Sequence, residues 1–445
     1  MKKYRFRIEK SVAAAILLVI FWGCELDISN PNAPTDDDIL NSAAGIEQFT
    51  IGMQGFFSGA VYEDVVLNTG VTTREVAINT TFTSLIELED GGVALPPENS
   101  RTNSIWIGLL RTVSMCDDIL ANAPEVIANE AQLSGIIAIT SVYKALSLGY
   151  LIQSFEQAPI NSGENAEFFS RQEVLAESIR LLDVALQQIN ATPPSEDFNN
   201  TILLSGFDLR NTILALQARY NLFAGNHQAA IEAANQVDIS ATSVFNFDGS
   251  TSRNPLFDAV ASGDEGQEYA PRDNFGSPLT EEGDNRLDFY LNPTDEMSAP
   301  NGLPIDDLVG FATTPDADVP VYLPGEMALI RAEAFVRQGA SQFGQAVDEI
   351  NAIRTKTDDE DAFGVGAELP PYSGAVSEEA LLEEIFYQRS AELYLSGMRF
   401  EDMRRLNRPV PSDDPPLTAP RNRVYYPYPT QERQNNPNTP PNPEI

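Results

Sequence analysis

One histidine, His227, and two cysteines, Cys24 and Cys116, occur in 445 residues, and 28 Lys and Arg face 65 Asp and Glu. So few soft ligands leave no zinc ribbon and no disulfide framework, and at most one Ser-His-Asp triad. The net charge of −37 repels nucleic-acid phosphates and anionic lipid surfaces. No basic stripe interrupts it, which excludes DNA and RNA as partners. No GxxxxGK[ST] phosphate loop, no GxGxxG after a strand and no HExxH occurs either. The acidity itself suits solubility or a saline medium. What the chain does have is apolar content: 42% of its residues are hydrophobic, enough to bury a substantial core in one large domain or two to three ordinary ones.

The N-terminus reads as an export signal. Lys2, Lys3, Arg5, Arg7 and Lys10 precede an apolar run from Val12 to Trp22, and Gly23-Cys24 follow. That run is shorter than the ~20 residues a membrane-spanning helix needs, whereas a basic region, a short apolar stretch and a small residue before the cleavage point make a secretory signal. Phe21-Trp22-Gly23-Cys24 is similar to a bacterial lipobox, although Trp22 stands where a small residue is usual. The expectation is a signal peptide over 1–23, with Cys24 lipidated and holding the domain on a membrane. Removing 1–23 takes away five positive charges and one negative, moving the net charge from −37 to −41. Glu25 and Asp27 then resemble a surface-export signal of Bacteroidetes lipoproteins. Cys116 is left without a partner, on an apolar helical stripe, as a buried inert thiol.

Helical periods dominate the rest. Asn30-Pro31-Asn32-Ala33-Pro34 is a linker, and Thr35 caps a helix whose first turn carries Asp36 to Asp38, where acids complement the helix dipole. Trp106, Leu109, Leu110, Val113, Cys116 and Leu120 form one stripe, which places Trp106 in core packing rather than sugar stacking. A second helix runs from about Gln132 to Ser154. Ser170 and Glu173 form a capping box ahead of Leu175, Ile179, Leu182, Leu186 and Ile189, and Pro193-Pro194 end that stripe. Ala215, Ala218 and Leu222 lead through Gly225 to Ala230 and Ala234, a tetratricopeptide-like hairpin whose small residues let two backbones approach closely. Its spacing recurs at Ala332, Gly339, Ala346 and Ile350. His227, beside the first of these turns, reads as packing. Residues 242–320 break into Gly, Pro, Asn, Asp and Ser with scattered aromatics, and loops this long are often functional. A last helix is expected from Ser377 to Leu406, followed by a Pro- and Asn-rich, non-helical tail that packs back on the body.

That last helix carries Arg389, Glu392-Leu393, Gly397, Arg399, Asp402 and Arg405. Upstream stand Ala332-Glu333-Ala334 and Ile350-Asn351-Ala352-Ile353-Arg354; downstream stand Tyr426-Pro427-Tyr428-Pro429, Glu432 and Asn436-Pro437. In order and spacing these pieces, with the lipobox and Asn30 to Thr35, resemble the SusD/RagB family of outer-membrane nutrient-binding lipoproteins; Ser396 stands where that family has Glu. Read from the residues alone, Arg389 with Glu392 and Arg399 with Asp402, each three apart, suit ion pairs along one helix face.

The periods and the resemblance together imply a mainly α, SusD-like fold of tetratricopeptide-like hairpins with long irregular loops, divided into an N-terminal region 24–240 and a C-terminal region 241–445. The resemblance implies a lipid-anchored protein of the cell outer membrane, facing the exterior. Such a protein holds oligosaccharides or peptides for a SusC-like TonB-dependent transporter and has no catalytic residues, cofactor or metal. A surface glycoside hydrolase needs only two carboxylates, and it remains an alternative, as does a helical-repeat adaptor for proteins. The family has no binding motif to carry over, so ligand candidates come from composition: Tyr62, Arg74, Asn79 and Phe82 in a first polar loop region, and Arg286, Phe289 and Tyr290 in the long one.

Overall fold

The computed structural model describes residues 39–445 apart from 262–266, 277–280, 294–296 and 407. The signal segment, Cys24, the linker and the Thr35 to Asp38 cap lie outside the described residues. Among those described, fifteen α-helices and four two-stranded antiparallel ladders form. The N-terminal helices are α1 (Ala43–Phe56), α2 (Tyr62–Thr72), α3 (Thr83–Asp90), α4 (Ser100–Val126), α5 (Glu130–Ser154), α6 (Arg171–Ala191) and α7 (Glu196–Thr201). Then come α8 (Leu209–Ala224), α9 (His227–Ala234), α10 (Arg286–Tyr290), α11 (Pro324–Arg337), α12 (Phe343–Arg354), α13 (Glu378–Glu392), α14 (Arg399–Arg405) and α15 (Thr430–Asn435). The body is mainly helical, as the periods predict.

Caps fix where the long helices start. Asn99 accepts from the amides of Arg101 and Thr102 at the head of α4, and Asn129 does the same for Ala131 and Gln132 at α5. The Ser170–Glu173 capping box forms at α6. Successive helices then pack side by side: α4 on α5, α5 on α6, α6 on α8, α8 on α9, α9 on α11, and α11 on α12 and α13. Both hairpins read from the sequence are present. Gly225 (φ 80°) and Gly339 (φ 107°) turn the chain, and Ala218, Ala230, Ala332 and Ala346 are fully buried where the helices cross. Helix α5 is apolar enough to cross a bilayer, but it is buried inside the body. Trp106 lies in the core against Phe155, Phe168 and Tyr428, and its Nε1–H donates to Glu432 at 3.2 Å. Cys116 is buried, which pushes its thiol well above the usual range. The tail packs back as expected, with Tyr426 and Tyr428 fully buried, but the expectation that it is non-helical is corrected: Thr430–Asn435 form the short helix α15.

The expectation of one helix from Ser377 to Leu406 is corrected. The chain breaks after Glu392 and restarts at Arg399; Leu395 (φ 52°) and Gly397 (φ 77°) take left-handed backbone between. The break redirects the family residues, so the expected i,i+3 ion pairs do not form. Arg389 reaches across it to Asp402 (2.7 Å), Glu392 pairs with Arg286 (3.3 Å) and Lys356, and Arg399 faces Glu75 (3.6 Å). Four short ladders stitch the loops to the helices, most importantly β1 (Val76–Ile78) against β2 (Tyr269–Pro271), with Val76 opposite Pro271 and Ile78 opposite Tyr269.

Glu63 and Asp64 open α2 facing the Arg101–Glu268 pair (2.6 Å), Asp258 and Asn68. Burial, then the neighbouring carboxylates Asp64 and Glu268, pushes Glu63 up to about 7; burial pushes Asp64 up to about 6 against the pull of Arg101 and Asn68. Both groups hold protons more tightly folded than unfolded. Their contribution is therefore full below their unfolded values near 4 and is lost as pH rises through 6 and 7.

Two predictions follow from this packing. In α5 a Cβ on Gly149 would lie 2.2 Å from the Tyr220 hydroxyl, whereas around Gly52 in α1 nothing lies within 4 Å. Overpacking costs about 1–3 kcal/mol and Ala in place of a helical Gly gains about 1. Gly149→Ala should thus lower the unfolding midpoint and Gly52→Ala raise it, measured by thermal denaturation. Glu63→Gln should stabilise the protein at pH 8 by on the order of 1–3 kcal/mol, with the gain vanishing toward pH 4.5. Denaturant titrations of both proteins across that range check the sign.

Candidate functional site

A wide cavity of about 550 Å³ opens where five segments meet. Thr73 and Arg74 come from the turn between α2 and β1, and Arg272 to Asn274 and Gly276 follow β2. Phe386 and Ser390 come from α13, Arg399 and Met403 from α14, and Arg408-Pro409 and Leu417 to Pro420 from the loop after α14. Local sequence explains why the chain can bring them together. Asn274 (φ 49°) and Phe275 (φ 57°) are left-handed, as is Arg74 (φ 66°), and each such residue costs of order 1–3 kcal/mol. Gly276 follows, and a Cβ there would fall 1.6 Å from the Arg74 carbonyl oxygen, so only glycine allows this approach. The strain is held by neighbours: Phe275 packs on Tyr394 with ring centres 4.7 Å apart, and its carbonyl accepts from Arg399 at 2.6 Å.

The cavity walls are rich in guanidinium. Arg74 is buried and donates to the carbonyls of Glu89 (2.7 Å), Ala419 (3.3 Å) and Pro416 (3.4 Å). Burial pulls its guanidinium down to about 10, which leaves it charged at neutral pH. Arg408 lies over the Phe386 ring at 3.8 Å and pairs with Glu383 at 2.8 Å. Arg272 sits 3.5 Å from Asp273 and donates to the Pro304 carbonyl. Behind the same loop Arg421 donates to the carbonyls of Arg408 and Pro409, and burial, then Arg404, pulls it down to about 10. The arrangement can hold a polar ligand through several fixed donors. It offers no nucleophile–base pair for catalysis among the lining residues, and among the described residues no three His, Cys, Asp or Glu are placed to hold a metal ion.

The residues singled out in the sequence are divided among several places. Arg74 lines the wide cavity. Tyr62 lies in helix α2 rather than in a loop and is buried against Phe245; with Tyr290 it lines a separate hollow of only about 30 Å³, beside Arg219 and Phe311. Phe289 packs on Tyr290 and Phe311, and the Tyr290 hydroxyl donates to the Glu392 carbonyl. Arg286 is buried in ion pairs with Asp284 (2.7 Å) and Glu392 (3.3 Å). Asn79 is exposed, its amide bonded to the Glu268 carbonyl, and the Phe82 ring is 54% exposed. Composition missed Arg272, Arg399, Arg408 and the 417–420 loop. The available signal was the run of turn-forming residues from Asp273 to Gly276 and the arginine density after position 398.

Residues 312–413 match the SusD family model. No curated protein sequence matches the chain. Among solved structures it is similar to a SusD superfamily protein from Bacteroides thetaiotaomicron, with TM-score 0.68 and 15% identity over 90% of this chain and 100% of that one. A SusD-like carbohydrate-binding protein from Bacteroides fragilis aligns with TM-score 0.65 and 14% identity over 90% and 99%. Another so described, from Bacteroides vulgatus, aligns with TM-score 0.63 and 14% identity over 82% and 84%. At such identities the structures speak for the fold. The resemblance to the SusD/RagB family carried by the C-terminal helices thus stands, matched in sequence over residues 312–413 and in fold over about nine-tenths of the chain.

Proposed function

We propose that this chain is a cell-surface nutrient-binding lipoprotein. Cys24 anchors it to the outer membrane facing the exterior, and the helical body holds an oligosaccharide, or in the alternative a peptide. It delivers that ligand to a SusC-like TonB-dependent transporter without catalysing any reaction on it. The observation that carries this reading is the cavity of about 550 Å³, in a fold shared with proteins described as carbohydrate-binding. Ligand sites span roughly 300–1,000 Å³. The helical stack supports the partner role, because repeat scaffolds present broad contact surfaces.

The site joins Arg74 of the 24–240 region to elements of the 241–445 region. Tyr62 and Tyr290 line one smaller hollow, Arg286 another, and Phe289 packs on Tyr290, so none of the four is a contact within this cavity. The exposed Phe82 ring offers stacking surface to a ligand that extends beyond the cavity, and Asn79 adds an exposed amide near it in sequence. Hand-over requires release, so an affinity near micromolar, about −8 kcal/mol, is expected.

A screen of glycans and peptide pools against the purified chain should find one oligomeric class bound and no reducing sugar released. Gentle purification should bring down a larger β-barrel subunit, and Cys24→Ala should move the protein from the detergent to the aqueous phase. Turnover of a bound glycan would replace this reading with a hydrolase. A purely monomeric protein that binds no polymer would end it.

A further inference from the structure

We propose that the wide cavity selects oligosaccharides carrying anionic groups, carboxylate or sulfate, over neutral ones. This rests on the reading of the cavity as the ligand site. Four guanidinium groups line it, from Arg74, Arg272, Arg399 and Arg408, against one lining carboxylate, Asp273. Immediately behind the walls lie Glu75, 3.6 Å from Arg399, Glu383, 2.8 Å from Arg408, the Glu89 and Asp90 carboxylates that act on Arg74, and the Arg421 guanidinium. On the walls themselves four positive charges thus stand against one negative, in a chain whose net charge is −37. Arg74 and Arg421 are bonded to backbone carbonyls rather than to carboxylates among the described residues, so neither is neutralised by an ion pair. In a partly desolvated cavity such charges act far more strongly than on an open surface.

The aromatic content points the same way. A neutral sugar is held mainly by stacking on a bare ring. Phe386 is the one ring among the residues lining this cavity, and the Arg408 guanidinium already covers it at 3.8 Å. What the walls offer instead are guanidinium donors and the hydroxyls of Thr73, Ser390 and Thr418. Arg272 and Arg408 are partly accessible, with 14% of each side chain exposed, and present the planar fork that matches carboxylate and sulfate oxygens. A strongly acidic chain then gives discrimination of its own, because its net charge disfavours an anionic polymer away from a positively lined cavity.

The test is calorimetric titration of the full chain in detergent micelles with polygalacturonate, ι-carrageenan, laminarin and pullulan at low and high sodium chloride. Binding of polygalacturonate or carrageenan is expected, and which of the two distinguishes carboxylate from sulfate recognition. Arg272→Gln, at the accessible edge, should weaken that binding about tenfold, and raising the salt should weaken it in the unaltered protein, a readout that does not depend on the variant folding. Binding of laminarin or pullulan alone, or anionic binding indifferent to salt and to Arg272→Gln, overturns the inference while leaving the nutrient-binding reading intact. Binding of none of the four polymers overturns the inference and counts against that reading as well.

Discussion

Arginine–carboxylate pairing across the break between α13 and α14 is the constraint on which the rest of the molecule depends. Asp402 receives Arg389 at 2.7 Å and Arg405 at 2.7 Å, and Arg405 also reaches Glu333 of α11. Burial would raise the Asp402 carboxyl, but the two guanidiniums hold it below its ordinary value. Glu401 binds Arg171 of α6 and Arg404, and Arg404 continues to the carbonyls of Gln153 in α5 and Val424 in the tail. One seven-residue helix therefore ties together α5, α6, α11 and the tail. Removing one member of such a buried pair costs about 3–5 kcal/mol, because its partner is left charged in a dry interior. A second buried pair, Arg219 with Glu326 at 2.6 and 2.8 Å, locks α8 to α11 in the same way. The scarce cations of this acidic chain are largely spent inside. Even Lys144 and Lys356, the two lysines beyond the N-terminal segment, keep only 5% and 10% of their side chains exposed.

Periodicity made the repeat hairpins legible, because Ala218 and Ala230 must be small where the helices cross and Gly225 supplies the left-handed turn between them. The Ser170–Glu173 box was equally readable, since both of its partners lie within four residues. The break after Glu392 was not. Leu393, Tyr394 and Leu395 continue an apolar helical pattern, and nothing in the identity of Leu395 announces a positive φ. The backbone bends there because distant groups demand it: the Tyr394 hydroxyl donates to the Glu75 carbonyl and the Leu395 amide to the Glu75 carboxylate. The cavity was hidden for the same reason. Its walls come from five segments between Thr73 and Pro420, and Arg399 was legible only as a family marker with a local ion partner. Arg74 was found by composition, whereas Tyr62 and Tyr290 went to a small hollow because their rings were needed by the core.

Fold and site carry separate information here. The helical stack is shared with distant SusD-superfamily structures at 14–15% identity, so it is a scaffold that tolerates nearly any surface. The cavity is built by the 408–425 loop and the strained Arg74 and Asn274–Phe275 turns. There, guanidinium-to-carbonyl bonds fix irregular backbone that has no ladder of its own.

The placement of Trp106 beneath Tyr428, and of the Thr72 hydroxyl 2.7 Å from that of Tyr426, sets an order of events for a chain that emerges from its N-terminus. These partners are separated by more than 300 positions, so α2 and α4 cannot complete their packing until the tail has been made. Closing so long a loop comes late and slowly, since its entropy must be lost before the contact returns anything. During synthesis the early helices therefore stay unsealed until the last residues arrive, which makes the tail the closing element of the fold.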